Sequence, residues 1–338
     1  MSRPRLRLRL PATVVAAALL ATLGCSDTDE PTGGDADRPE DPTVVVDGLE
    51  GPTQNTDGPD GRLLVAQLNG PEGEPVGQVL EVDVDSGERR VLLEGLETPT
   101  GVLWLDGRLW VMERRSLSSA EWDGDGDPGP KQVVLDDLPF NGRSEGTLTA
   151  LPDGRILYET SGSLNPRGVL EGSGVLWAMD PSTGESQPVA TGLKNAYAHA
   201  VRADGSVLVT EIGDNISDPP PDELHLFDGA GDGAAPDGGW PDCPPPEACP
   251  GVSGPVATFP EGDTPTGVAA VGDRAVVALF VAGSLVEVEL AGWAPGDGPV
   301  ATTAVLEGLD GPHTVLSRDG DELWVSEHGA GRVVSFRP

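Results

Sequence analysis

The sequence predicts an all-β chain, a six-bladed β-propeller, and three observations carry that prediction. A hairpin phrase recurs six times at a near-constant interval. A second apolar phrase recurs between its copies. The segments near residues 44 and 331 read as complementary halves of one repeat unit, as a closed ring requires.

The hairpin phrase is Asp-Gly-Arg-Leu-x-Val. It appears as Asp60-Gly61-Arg62-Leu63-Leu64-Val65, Asp106-Gly107-Arg108-Leu109-Trp110-Val111 and Asp153-Gly154-Arg155-Ile156-Leu157-Tyr158. It continues as Asp204-Gly205-Ser206-Val207-Leu208-Val209, a degenerate Gly272-Asp273-Arg274-Ala275-Val276-Val277, and Asp319-Gly320-Asp321-Glu322-Leu323-Trp324-Val325. The glycines are spaced by 46, 47, 51, 67 and 48 residues. Asp-Gly makes a tight turn whose glycine takes positive φ, and the flanking apolar residues read as strands. A period of roughly 40–50 residues with about four short strands is the propeller signature, because one blade cannot bury both faces alone.

The outer-strand phrase appears as Val91-Leu92-Leu93, Val133-Val134-Leu135, Val189-Ala190-Thr191, Val256-Ala257-Thr258 and Ala304-Val305-Leu306. The sixth copy is Val44-Val45-Val46, and Gly331-Arg332-Val333-Val334-Ser335-Phe336 reads as a third strand. Pairing these two closes the ring in the last blade and leaves no unpaired inner edge. The long interval is assigned to a Gly- and Pro-rich insertion at about 228–255.

Residues 1–24 read as a lipoprotein signal peptide. Arg3, Arg5, Arg7 and Arg9 precede an apolar stretch too short to span a bilayer, and Thr22-Leu23-Gly24-Cys25 resembles a lipobox with Cys25 as the lipidation site. Residues 25–42 read as a disordered acidic tether, and 43–338 as the propeller. An exported, membrane-anchored protein in the periplasm or at the cell surface is expected. Outside the cytoplasm Cys243 and Cys249, six residues apart, read as a local disulfide, with a zinc site the alternative.

The formal charge is −35, from 21 basic and 56 acidic residues. Such a surface repels nucleic acid and anionic lipid, so no nucleic-acid partner is expected and the membrane is reached only through the lipid. A small-molecule ligand, a sugar or another, at the propeller mouth and a monomeric state are expected.

The position closing each second strand reads Gln67, Glu113, Thr160, Glu211, Leu279 and Glu327. Placed at one mouth of the channel, Gln67, Glu113, Glu211 and Glu327 would converge around a cation or donor ligand; the alternative is a local partner for each. Asp123-Gly124-Asp125-Gly126-Asp127 reads as a calcium loop or a solvated turn. His313 and His328 flank strands of the sixth blade at the same mouth.

Residues 193–241 are more specific. They contain Leu193-Lys194-Asn195-Ala196-Tyr197, Thr210-Glu211-Ile212-Gly213-Asp214-Asn215, Pro219-Pro220-Pro221-Asp222-Glu223-Leu224 and Gly238-Gly239-Trp240-Pro241. This block resembles the soluble quinoprotein glucose/sorbosone dehydrogenase family. The resemblance implies a six-bladed propeller that holds pyrroloquinoline quinone (PQQ) over calcium and oxidises aldoses. It implies Lys194, Asn195, Glu211 and Gly213 at the cofactor, and Gly213 with Asp214 at the metal. Arg143 stands where the family has its general-base His, and Lys194 where it has Arg. Three functions follow: a diverged PQQ-dependent sugar dehydrogenase, a non-catalytic cell-surface binding propeller, or a metal-dependent lactonase-like hydrolase.

Overall fold

A computed structural model of the chain describes residues 41–142, 145–213, 221–229, 234–243, 249–318 and 321–338. Cys25, Arg143 and Asp214 lie outside these residues. The described residues form six four-stranded antiparallel sheets and one two-stranded hairpin. Blade one comprises Pro52–Asp57, Leu63–Gln67, Pro75–Val82 and Arg89–Glu97. Blade two comprises Gly101–Leu105, Arg108–Glu113, Ser116–Glu121 and Gln132–Leu135. Blade three runs Thr149–Ala150, Ile156–Thr160, Val175–Met179 and Ser186–Thr191, with the small hairpin Leu164–Asn165 and Gly168–Val169 looping out of it.

Blade four runs Ala198–Val201, Val207–Glu211, Asp222–Phe227 and Ala257–Phe259. Blade five runs Pro265–Val271, Arg274–Leu279, Ser284–Glu289 and Thr302–Glu307. Blade six takes Pro312–Ser317, Leu323–Glu327 and Arg332–Phe336, and its outer strand is Thr43–Val46, paired through Thr43 with Ser335 and Val44 with Val334.

The repeated phrase makes the turn between the first two strands. In blade two Asp106 and Gly107 both have positive φ, 51° and 71°, as a two-residue hairpin that follows the strand twist requires. Within a strand, alternate side chains go to opposite faces. In a propeller both faces meet a neighbouring blade, so second strands read as near-continuous apolar runs. The buried residues accordingly form six clusters, each shared between two blades. Leu64 and Val111 join blades one and two. Trp110 and Ile156 join two and three, and Leu157 and Val209 three and four. Leu224 and Val277 join four and five, and Val276 and Val325 five and six. Val46, Trp324 and Val333 pack on Leu63 and Val65, joining blade six to blade one.

Between 228 and 256 the described residues form no strand, only isolated bridges Thr191–Asp237 and Asp237–Val252. Cys243 and Cys249 are disulfide-bonded, with Cα atoms 6.2 Å apart.

Candidate functional site at the channel mouth

The residue closing each second strand does not reach the axis. Alternation continues the face of Leu63 and Val65 to Gln67, of Leu109 and Val111 to Glu113, of Val207 and Val209 to Glu211, and of Leu323 and Val325 to Glu327. Each therefore points at the preceding blade and finds a partner there or in its own blade.

Gln67 Oε1 accepts the Glu50 N–H at 2.9 Å while its amide donates to Gln78 Oε1. Glu113 accepts the Glu97 N–H at 3.0 Å and pairs with Lys131. Glu211 accepts the Lys194 N–H and meets His225. Glu327 accepts the Asp310 N–H at 2.9 Å and pairs with Arg332. These are clamps that fasten the loop entering each blade. The expected convergence of Gln67, Glu113, Glu211 and Glu327 on one cation is not what the structure shows, and the residue-by-residue pairing replaces it.

The next residue, the first beyond each strand, is free to turn to the channel. Leu68, Ile212, Phe280 and His328 do so, lining a cavity of ≈ 220 Å³ with Thr53, Thr98, Thr100, Asn195, Tyr197 and His313. A chain with only 4% aromatic residues gathers rings here. Tyr197 and Phe280 stand edge-on to His313 at 5.4 and 5.7 Å, and His313 stacks on His328 at 5.8 Å.

Buried polar groups need hydrogen-bond partners, and those that lack them mark a ligand or solvent site. Here both polar atoms of the Asn195 amide, the Thr100 hydroxyl and His313 Nδ1 are buried without a partner among the described residues. Tyr197 Oη and His313 Nε2 lie 3.2 Å apart. His328 Nδ1 sits 3.3 Å from the Pro52 carbonyl. A carbonyl only accepts, so this contact assigns the proton to Nδ1 and leaves Nε2 with a bare lone pair. Burial, with the charge of His328, holds His313 down at about 3, and burial also lowers His328. Burial raises the Tyr197 phenol. Among the described residues Glu72 is the one acidic side chain of the lining, and no Lys or Arg lines it.

Of the residues that the resemblance places at the cofactor, only Asn195 lines the cavity. The Lys194 amine donates to the Gly162 carbonyl at 3.0 Å and lies over the Trp240 ring at 5.1 Å. Glu211 is the blade-four clamp, and the Gly213 N–H donates to Asp222 Oδ1 at 2.7 Å. A quinone held through its carboxylates needs cations around it. Among the described residues the lining offers neutral amide, hydroxyl and imidazole groups and no such cation.

Sequence reading missed Glu145 and Glu159. Both are fully buried, and Glu145 Oε2 accepts the Ser161 N–H and hydroxyl at 2.9 and 3.1 Å. Burial pushes Glu159 up to about 8 and Glu145 well above its ordinary value, so the pair does not carry two charges at pH 7. A signal was present: the penultimate residue of the other second strands is Ala66, Met112, Thr210, Ala278 or Ser326, and only blade three has an acid there.

No family model matches the chain, and no curated protein does. Solved structures match along most of it. The PQQ-bound aldose sugar dehydrogenase of Streptomyces coelicolor is 19% identical, covers 87% of this chain and 96% of its own, and has a TM-score of 0.70. A calcium-containing carbohydrate-active enzyme of family AA12 from Trichoderma reesei is 17% identical, with 89% and 96% covered and a TM-score of 0.74. The holo PQQ domain of Coprinopsis cinerea pyranose dehydrogenase is 14% identical, with 87% and 94% covered and a TM-score of 0.68. At such identities the likeness is one of fold, and in fold this chain is similar to the PQQ-dependent sugar dehydrogenases, as the resemblance of residues 193–241 implies.

Proposed function

We propose that the protein is an exported propeller of the sugar-dehydrogenase type whose channel mouth takes a neutral sugar, an aldose. The unpartnered amide of Asn195 carries this reading. It offers one acceptor and two donors to adjacent hydroxyls, the pattern a sugar presents. Thr100 adds a hydroxyl, and the edges of Tyr197 and Phe280 give an apolar wall for the C–H face of the ring. The bare Nε2 of His328 adds a hydrogen-bond acceptor for a bound hydroxyl. Export and tethering through Cys25, and a monomeric state, belong to the same proposal.

Titration calorimetry of the soluble chain against an aldose panel tests it. Binding is expected, weakened about tenfold by Asn195→Ala, the loss of roughly one charge-free hydrogen-bond pair. No heat with any aldose would overturn the reading. A second reading, PQQ-dependent aldose oxidation, is supported by the shared fold and the retained Lys194-Asn195 and Glu211-x-Gly213 elements. Dye reduction that requires both PQQ and calcium would establish it; sugar binding without such turnover leaves the protein a binding propeller.

A further inference from the structure

The layer between blades three and four contains more acid than its neighbours. Elsewhere the clamps are balanced: Gln67 meets Gln78, Glu113 meets Lys131, Glu327 meets Arg332. In blade four the clamp is Glu211, and two carboxylates flank a single imidazole. His225 Nε2 lies 3.0 Å from Glu211 Oε2 and 2.8 Å from Glu223 Oε2. Glu223, His225 and Phe227 share the face turned to blade three, and from that blade Glu159 and Glu145 are buried into the same layer. Glu211 and Glu223 thus stand against one imidazole, with the Lys194 backbone N–H the neutral donor on Glu211 and two further acids, Glu145 and Glu159, buried in the same layer.

His225 is 0% exposed, it stacks on Phe227, and its Nδ1 has no partner among the described residues. A cation on Nε2 leaves Nδ1 a neutral N–H and neutralises both carboxylates at once.

We propose that Glu211, Glu223 and His225 bind a divalent transition-metal ion of the zinc class between blades three and four. Their donor atoms already lie within 4.8 Å of one another, the only such group of three among the described residues. Small outward shifts bring them to the roughly 2.0–2.2 Å metal–ligand lengths of nitrogen and carboxylate donors. The imidazole selects against calcium, whose ligands are oxygens. The ion would fasten the second and third strands of blade four where they leave the sheet.

The test uses the full mature chain, stripped with chelator and held at physiological salt so that surface acids do not compete. Cobalt(II) is the probe, followed by zinc. One cobalt per chain with ligand-field absorption bands, displaced by one equivalent of zinc, is expected. The thermal midpoint should rise by several degrees, and Glu223→Gln and His225→Asn should abolish both effects. X-ray absorption of the zinc-loaded wild type should show one imidazole ligand, a readout that holds even if a variant folds poorly. Absence of bands and of a midpoint shift in the wild type, or absorption without an imidazole ligand, overturns the site.

Discussion

Glu159 shows how a single residue can make the fold sensitive to pH. Burial holds its carboxyl near 8, above the ordinary 4.5, so the folded chain keeps a proton that the unfolded chain releases between those values. Stability from this group is complete below the unfolded pKa and is lost as pH rises toward 8. Glu159→Gln, neutral at every pH, should flatten that loss, by up to about 1.4 kcal/mol per pH unit. Urea midpoints at pH 5 and pH 8 read it; an unchanged difference between the two would rule the assignment out. The buried histidines act in the acid window with the opposite sign. Burial holds His199 at about 4 and His313 at about 3, so the unfolded chain binds protons first as pH falls below 6.5. Their neutral burial favours the fold above 6.5 and is lost on acidification. His313→Asn should reduce the slope of stability between pH 6.5 and 4 while leaving the alkaline side unchanged.

At the scale of the strand, the clamp in blade six allows a direct comparison of buried and exposed charge pairs. Glu327 is 0% exposed and faces Arg332 across the second and third strands. Removing the cation leaves a buried carboxylate without compensation, a loss of about 3–5 kcal/mol. Arg332→Met should therefore cost several-fold more, by urea denaturation, than Arg155→Met, whose partner Asp153 is half exposed and worth at most about 1 kcal/mol. Equal costs would mean that the clamps do not hold the blades. The strands themselves were legible in the sequence, because the Asp-Gly turns and apolar runs repeat with little change. The mouth was misplaced by one residue. Glu113 and Glu327 end their strands and so keep to the face between blades, whereas His328 and Ile212, one step on, turn to the channel. His313 and His328 were placed at the mouth from their position beside blade-six strands. Which of their nitrogens stays bare was not legible, since Pro52, the partner of His328, lies 276 residues away.

Over the whole molecule, stability rests on six equivalent inter-blade cores and on a surface of strong like charge. Screening relieves that repulsion, so moderate salt should raise the thermal midpoint of a chain with a net charge of −35. The core between blades six and one has a feature the others lack, because its outer strand comes from the far end of the sequence. Thr43–Val46 pairs along Arg332–Phe336, Val46 is buried, and the Leu49 N–H donates to the Gly331 carbonyl at 2.7 Å. A chain beginning at Asp47 loses the Val46 side chain, worth about 1.5–3 kcal/mol of burial. It also loses several ladder hydrogen bonds, each about 1 kcal/mol. Against a reference beginning at Asp41, it should unfold at a clearly lower urea midpoint, by an amount on the order of 3–5 kcal/mol. Residues 332–336 then become an exposed edge, so the shortened chain should also self-associate as its concentration rises, visible by light scattering. If the two chains share one midpoint, the sixth blade is held by its other three strands and the terminal pairing is dispensable.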